Sequence, residues 1–466
     1  VGKIAEGSDQ ARAQGEQTVT PLRAPEPTPA PGRRETAPEA DRLITGAALA
    51  PEPSVDSGQV RQLVVQLGAA MSAAGDSVDS IRSKLLEIMI AFGYPEADAV
   101  VFPTAMFVET GHGVSARVDF GTHRQGILRF DQIARLYELI AGLQSGEVSP
   151  PAALAVLASV GEMKPRFGWV FRVLGYMLMT VGFALLLQPT VSTLIACSVL
   201  GLAIGLLKLL ELPTLRLVFP TFVAFLVTAL VLIAAKEWAL PDPIRVLVPP
   251  LVTFLPGGVL TMATMELASG EMVAGASRLV AGFVELLLLA FGILAAVALV
   301  RAPFAILSDS PRGQPGWWIP WLGVIVFTFG VYLHLTAPAR SLPWIFVVLV
   351  VAYAAQSLGA TVFDGQLSGF FGALAMTPLV LWFGDLRHGP PKLITFLPGF
   401  WLLVPGAAGL ISVTDFAGKG SSTGSAAFVA VLTVVVSIAL GVLIGTAAYR
   451  TASDGTRRMT LELKGE

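Results

Sequence analysis

Cysteine, histidine and charge are all scarce in this sequence of 466 residues. A single cysteine, Cys197, rules out an internal disulfide and any cysteine-based metal cluster. Two of the four histidines, His112 and His123, lie eleven apart (123 − 112), which matches no zinc spacing. Charged residues make up 14% of the chain, where a soluble protein carries roughly 25%. The net charge of −2 is too small to suggest a nucleic-acid partner. The sequence also lacks a GxSxG elbow, a Walker lysine loop and a cysteine nucleophile, so neither a common hydrolase nor an ATP-driven pump is indicated. No catalytic residue, metal or cofactor is expected.

Apolar residues are what the chain has in excess, at 54%, with a mean hydropathy of +0.70. From Trp169 onward, runs of roughly 17–24 apolar residues recur, each long enough to cross a ~30 Å hydrocarbon core as a helix. Ten candidate spans result, at about 168–187, 191–210, 217–235, 246–265, 279–300, 317–336, 344–361, 367–384, 393–413 and 425–448. The expected partner of this surface is the lipid bilayer. Residues 1–57 are polar and proline-rich and read as a disordered tail. Residues 58–166 read as a small soluble α+β domain. "VRQLVVQLGAAMSAAG" and "SVDSIRSKLLEIMIAFGY" have helical periodicity. "DAVVFPTAMFVETGHG" alternates as a strand ending in a glycine turn, "VSARVDF" is its partner, and helix resumes from "FDQIARLYELI".

Lysine and arginine in the short loops and flanks set the orientation. With the amino terminus inside, twelve fall on the inner side (Lys164, Arg166, Arg172, Lys208, Arg216, Arg278, Arg340, Arg387, Lys392, Arg450, Arg457 and Arg458). Five fall outside (Lys236, Arg245, Arg301, Arg312 and Lys419). Both termini are therefore expected in the cytoplasm, with the spans in the cytoplasmic membrane.

Two apolar spans are interrupted alike. "LVTFLPGGVLTMATMEL" holds Pro256, Gly257 and Gly258, and "FWLLVPGAAGLISV" holds Pro405 and Gly406, 149 residues on (405 − 256). The same shift lays the first five spans on the last five, dividing the region into repeats at 167–301 and 316–450. An odd number of spans per repeat turns the second copy upside down, which is the plan of many secondary transporters with mid-membrane sites on discontinuous helices. Proline lacks an N–H, so Pro256 is expected to free the carbonyl of Val252, and Pro405 that of Trp401. Freed carbonyls suit an ammonium, and half-helix amino termini suit a carboxylate. An amino-acid zwitterion needs both.

Other polar residues gather around the breaks. Thr253, Thr261 and Thr264 flank the first, where a hydroxyl can recognise a substrate hydroxyl. Glu285 is the carboxylate well inside an apolar span; ionisable groups at such depth are costly and mark coupling sites, which makes it the expected proton carrier. His334 is a second candidate for the proton path. Glu266 and Glu271 follow the broken span and are expected to line a cytoplasmic entrance with Arg278.

Taken together, "LGAAMSAAGDSVDSIRSKLLEIMIAFGY", "LQSGEVSPPAALAVLASV", "LKLLELPTLRLVF", "GGVLTMATMELASGEMVAGASRLVAGFVELLLLAFG" and "PPKLITFLPGFWLLVPGAAGL" make the chain resemble the threonine/serine exporter family (ThrE), over about 60–450. The resemblance implies a cytoplasmic domain followed by ten spans, and proton-driven export of threonine and serine. The family's matching segment also has a glutamate at the position of Glu285. Some relatives are linked to dicarboxylate export, so a dicarboxylate exporter stays open beside the amino-acid exporter. A membrane-anchored enzyme acting through the soluble domain is the rival from another class. The expected partners are a small amino acid, protons and, in a homo-oligomer, further copies of the chain.

Overall fold

A computed structural model of the chain describes residues 57–111, 116–122, 128–210, 218–238, 240, 242–302, 316–363, 367–386, 389–403 and 433–453. The expected tail, His112, His123 and the second Pro-Gly pair lie outside the described residues. The chain is mostly helical, with one small sheet.

The amino-terminal lobe contains helices α1 (Ser57–Ala74) and α2 (Val78–Ala91), strands β1 (Asp98–Val101), β2 (Ala105–Thr110) and β3 (Arg117–Thr122), and helices α3 (Phe130–Gln144) and α4 (Pro150–Glu162). Its core follows helical spacing. Val60, Leu63, Val64, Leu67 and Met71 of α1 are buried against Val78, Ile81, Leu85, Ile88 and Met89 of α2. Ser77 caps α2, its hydroxyl accepting from the Ser80 amide at 3.3 Å. The strands form an antiparallel meander in the order β1-β2-β3. One expected strand is in fact two. Pro103, which has no N–H for a ladder, falls between β1 and β2, and the chain turns back there.

Beyond the lobe, the helices are α5 (Trp169–Leu186), α6 (Val191–Leu207), α7 (Phe219–Glu237), α8 (Pro243–Leu251), α9 (Gly257–Ala268), α10 (Met272–Val300), α11 (Ile319–His334), α12 (Leu342–Val362), α13 (Ser368–Asp385), α14 (Lys392–Leu403) and α15 (Thr433–Ser453). Among the described residues six helical stretches are long and apolar enough to cross a membrane, and a seventh crossing results if the bent pair α8–α9 is one span. Two further apolar helices, α11 and α14, are shorter. The sequence-based count of ten is thus met by six or seven. The second half of the ninth expected span and the start of the tenth lie outside the described residues.

The surface agrees with a bilayer. Along α10, Val280, Phe283, Val284, Leu287 and Phe291 are all exposed, forming one apolar stripe at helical spacing. In water such a patch would drive association; in lipid it is the outer face. The chain is a multipass membrane protein.

Glycines bring the helices close. A Cβ on Gly175 of α5 would meet Leu333 Cβ at 2.8 Å and the Gly330 carbonyl at 3.0 Å. One on Gly182 would meet Phe327 Cα at 2.7 Å and its Cβ at 2.8 Å. Early residues of α5 thus face late residues of α11, and the two helices run antiparallel. The reverse contacts match. A Cβ on Gly323 would meet the Gly182 carbonyl at 2.8 Å and Leu185 Cβ at 2.9 Å, and one on Gly330 would meet Met179 Cγ at 2.8 Å. Every member of this set has its counterpart 148 residues on (323 − 175, 330 − 182, 333 − 185, 327 − 179). A second set repeats at 149. Gly292 of α10 lies against Ala224 and Phe225 of α7 (3.2 and 3.1 Å to its would-be Cβ). Gly441 of α15 lies against Ala373 and Leu374 of α13 (2.9 and 3.1 Å).

Candidate functional site

The interruption at Pro256 begins earlier, with two other prolines. Pro249 and Pro250 sit inside α8 and have no N–H, so the carbonyls of Arg245 and Val246 have no helical donor. The Cys197 thiol, buried on α6, stands 3.9 Å from the first carbonyl and 3.8 Å from the second. The lone cysteine is thereby a weak donor to backbone that the prolines leave open. The chain then tightens into a 3-10 turn, Val252–Phe254, and Leu255 is extended (ψ 126), as a residue before proline prefers. Helix restarts at Gly257 as α9, bent 54° from the preceding piece.

The carbonyl that Pro256 was expected to free is not free. The Leu255 amide donates to the Val252 carbonyl at 3.4 Å, because the 3-10 turn shifts the donor by one residue. The Pro250 carbonyl, just before the 3-10 turn, accepts from the Tyr176 hydroxyl at 2.8 Å.

Tyr176 of α5 is buried and leads to a cation. Its oxygen lies 2.9 Å from Thr253 Oγ1, and the Lys208 ammonium lies 3.0 Å from that same hydroxyl. A tyrosine has one hydroxyl hydrogen, and here it goes to Pro250. Thr253 must therefore donate to Tyr176 and accept from Lys208. The Lys208 Nζ also lies 4.4 Å from the Tyr176 ring centre and 4.6 Å from that of Phe254. Two helices, α5 and α6, thus converge on the 3-10 turn of the broken one through a single chain of donors.

His334 packs on the same tyrosine, with ring centres 4.9 Å apart. Its Nδ1 is 3.0 Å from the Arg172 carbonyl, which can only accept, so Nδ1 donates there. Past the break the threonines differ. Thr261 is 2% exposed and its hydroxyl has no hydrogen-bond partner among the described residues. Thr264 donates to its own helix at the Leu260 carbonyl, 3.0 Å away. The would-be Cβ of Gly258 faces Phe400 of α14 at 3.8 Å. Trp401 is half-buried on the same helix. Pro405 and Gly406 lie outside the described residues.

The expected entrance residues do meet, and they meet the lobe. Glu266, at the end of α9, is 2% exposed; its Oε1 lies 3.4 Å from the Arg278 guanidinium and accepts from the Val78 amide at 3.3 Å. Arg278 also donates to the Asp76 carbonyl at 3.1 Å. The first turn of α2 is therefore fastened to the helix after the break. Glu271 stands beside this junction and is half-buried as the residue before α10. The Tyr137 hydroxyl lies 2.6 and 2.7 Å from the two Asp76 oxygens. Burial raises the Asp76 carboxyl above its ordinary value, against the pull of Lys84, Tyr137 and Arg278. It lowers Lys84 and raises Tyr137 well above the usual phenol range. The lobe also reaches the second half of the chain. The Phe130 amide donates to the Leu335 carbonyl at 3.1 Å, the Thr336 hydroxyl lies 3.1 Å from Asp131 Oδ1 and 2.7 Å from the Leu335 carbonyl, and Arg340 pairs with Glu138.

Glu285 is half-buried midway along α10, one turn past the Gly282 contact with α9. It is not part of the Lys208–Thr253–Tyr176 chain. Of the expected residues, the structure brings Thr253 to that chain and Glu266 to Arg278. Lys208, Tyr176 and Asp76 were not singled out for this site. Lys208 in "IGLLKLLEL" reads in one dimension as a flanking charge at the inner end of the second span, although a lysine with apolar residues on both sides was the available signal.

A family model, ThrE, described as "Putative threonine/serine exporter", matches residues 62–300, from α1 to the end of α10. The resemblance read from the sequence beyond 300 lies outside that match. No curated protein and no solved structure matches the chain.

Proposed function

Because the chain belongs to the threonine/serine exporter family, we propose that it carries threonine, serine or a similarly small polar amino acid out across the cytoplasmic membrane, driven by the proton gradient. The observation that carries this reading is the break at Pro256. Helix α8 ends, a 3-10 turn intervenes and α9 departs at 54°, with a lysine ammonium, a threonine hydroxyl and a tyrosine gathered on the turn. Irregular backbone at membrane depth persists only where protein or a cavity satisfies it, and such breaks are where secondary transporters bind. The Thr261 hydroxyl, on the other side of the break and without a hydrogen-bond partner among the described residues, suits a substrate's own hydroxyl.

The alternating-access part of the proposal is two five-helix halves of opposite orientation. The reciprocal glycine contacts support it. Helices α5 and α11 are related by an offset of 148 and run antiparallel, as a two-fold axis in the membrane plane requires; α7–α10 and α13–α15 repeat one packing at 149. Both termini and the lobe are assigned to the cytoplasm on the lysine and arginine bias, and the lobe's contacts with both halves suit a brace between them. Glu285 is the proposed proton carrier.

Efflux from proteoliposomes tests the function. Vesicles loaded with labelled threonine or labelled succinate are compared with and without an imposed proton gradient. Gradient-dependent threonine release is expected. Succinate release alone would make the chain a dicarboxylate exporter, and release of neither would overturn the reading.

A further inference from the structure

We propose that Lys208 receives the carboxylate of the transported amino acid, its ammonium being aimed by Thr253 and Tyr176; this rests on the exporter reading above. Four observations carry it. The first is the proton bookkeeping. Tyr176 spends its hydrogen on the Pro250 carbonyl, Thr253 spends its own on Tyr176, and Lys208 gives one N–H to Thr253. The ammonium's other neighbours are the rings of Tyr176 and Phe254, 4.4 and 4.6 Å from Nζ, so two of its three N–H bonds are not committed to a hydrogen-bond acceptor among the described residues.

The second is the absence of a counterion. Among the described residues no carboxylate lies within salt-bridge distance of Lys208, although seven other ion pairs are present. A cation–π contact contributes about 0.5–2 kcal/mol. It does not replace the anion that a cation laid among buried groups demands. A carboxylate would add a charge-assisted bond of about 2.7–2.9 Å, roughly twice as strong as a neutral one.

The third is position. Thr253 and Phe254, the residues that hold the ammonium, form the 3-10 turn immediately before Pro256, so any movement of α9 about the break alters the surroundings of Lys208. The fourth is asymmetry. The offsets of 148 and 149 that relate the two halves bring Lys208 onto Gln356 and Ser357, both neutral. One half supplies a cation and the other does not. That arrangement fits a substrate with one carboxylate, an amino acid, and leaves a dicarboxylate's second charge unmatched.

The test uses the whole protein in proteoliposomes. Labelled threonine efflux is competed by unlabelled threonine and by threonine amide, which keeps the ammonium and hydroxyl but has no carboxylate. In the wild type, threonine competes and the amide competes at least ten-fold more weakly. Lys208→Gln raises the KM for threonine at least ten-fold and brings the two competitors within about two-fold of each other. Lys208→Arg keeps part of the preference. Should Lys208→Gln fail to fold, Thr253→Val keeps the charge and loses its aim, and the KM rises several-fold. Wild-type protein that takes threonine and its amide equally overturns the Lys208 assignment while leaving the exporter intact. A folded Lys208→Gln variant that keeps both its KM and its preference overturns the assignment in the same way. Wild-type protein that releases no threonine overturns the exporter reading, and this inference with it.

Discussion

Gly182→Ala is the smallest change that tests how α5 and α11 are packed. The new Cβ would lie 2.7 Å from Phe327 Cα and 2.8 Å from its Cβ, where carbon atoms normally stand about 3.5–4.0 Å apart. Because the obstacle is backbone, no rotamer change relieves it, and the helices must part by about 1 Å. A gap of that size forfeits a quarter to a half of the dispersion energy at each contact. Tyr176, Met179 and Phe183 on one helix and Val324 and Phe327 on the other are all buried there. Overpacking costs about 1–3 kcal/mol, and this case belongs in the upper half. Alanine's better helix propensity returns up to about 1 kcal/mol. The net loss is about 1–2 kcal/mol, or roughly 1–2 °C in the thermal midpoint of the detergent-purified protein. Gly330→Ala, whose Cβ meets Met179 in the mirrored position, should cost the same. The double variant should lose less than the two together, since helices parted once have room for the second methyl. Gly161→Ala, where the Cβ meets nothing within 4 Å, is the control and should be neutral or stabilising. Unchanged midpoints for both single variants, or strict additivity, would refute the reciprocal interface.

Three further outcomes are expected. Arg278→Met leaves the Glu266 carboxylate buried with the Val78 amide as its remaining donor, and should lower stability by about 3–5 kcal/mol. The double variant Glu266→Gln with Arg278→Met should be milder; thermal midpoints in one buffer decide, and a neutral Arg278→Met would mean that the pair does not fasten the lobe. For Asp76, burial raises the carboxyl above its ordinary 3.8, so the folded protein takes up that proton before the unfolded chain does. Stability from this group therefore grows as pH falls through the folded-state value and is complete below the ordinary one. The wild-type midpoint should climb relative to Asp76→Asn between neutral pH and about 4; parallel curves would contradict the shift. Glu285→Gln should release threonine with little response to an imposed proton gradient, and normal transport with an unchanged pH dependence would remove Glu285 from the proton path.

Much of the architecture was legible because it is written in local periodicity. The faces of α1 and α2 follow from apolar residues at helical spacing, and the apolar runs predict most of the long helices. The break in the fourth was visible because proline and glycine act on their own neighbours, whatever surrounds them. Pro249 and Pro250 carry the same signal, and their consequence at Cys197 needed a helix 48 residues away in sequence. The division of one expected strand into two turned on a single proline. Lys208 entered only the charge tally, because counting flanking charges cannot tell a lysine that faces water from one laid against two aromatic rings. The Arg278–Asp76 bond joins residues 202 apart, and no pattern within a window of sequence reports such a meeting.

The central claim is that substrate passes the broken helix. A single-cysteine protein tests it most directly, using Thr261→Cys with Cys197→Ser, a change that keeps a donor near the Arg245 and Val246 carbonyls. Leu287→Cys, on the exposed stripe of α10, is the lipid-facing control. The claim predicts that a membrane-impermeant thiol reagent modifies the cysteine at 261, that saturating threonine slows that reaction several-fold, and that the control is indifferent to threonine. A cysteine at 261 that stays unmodified, or reacts equally fast with and without threonine while efflux continues, would contradict it.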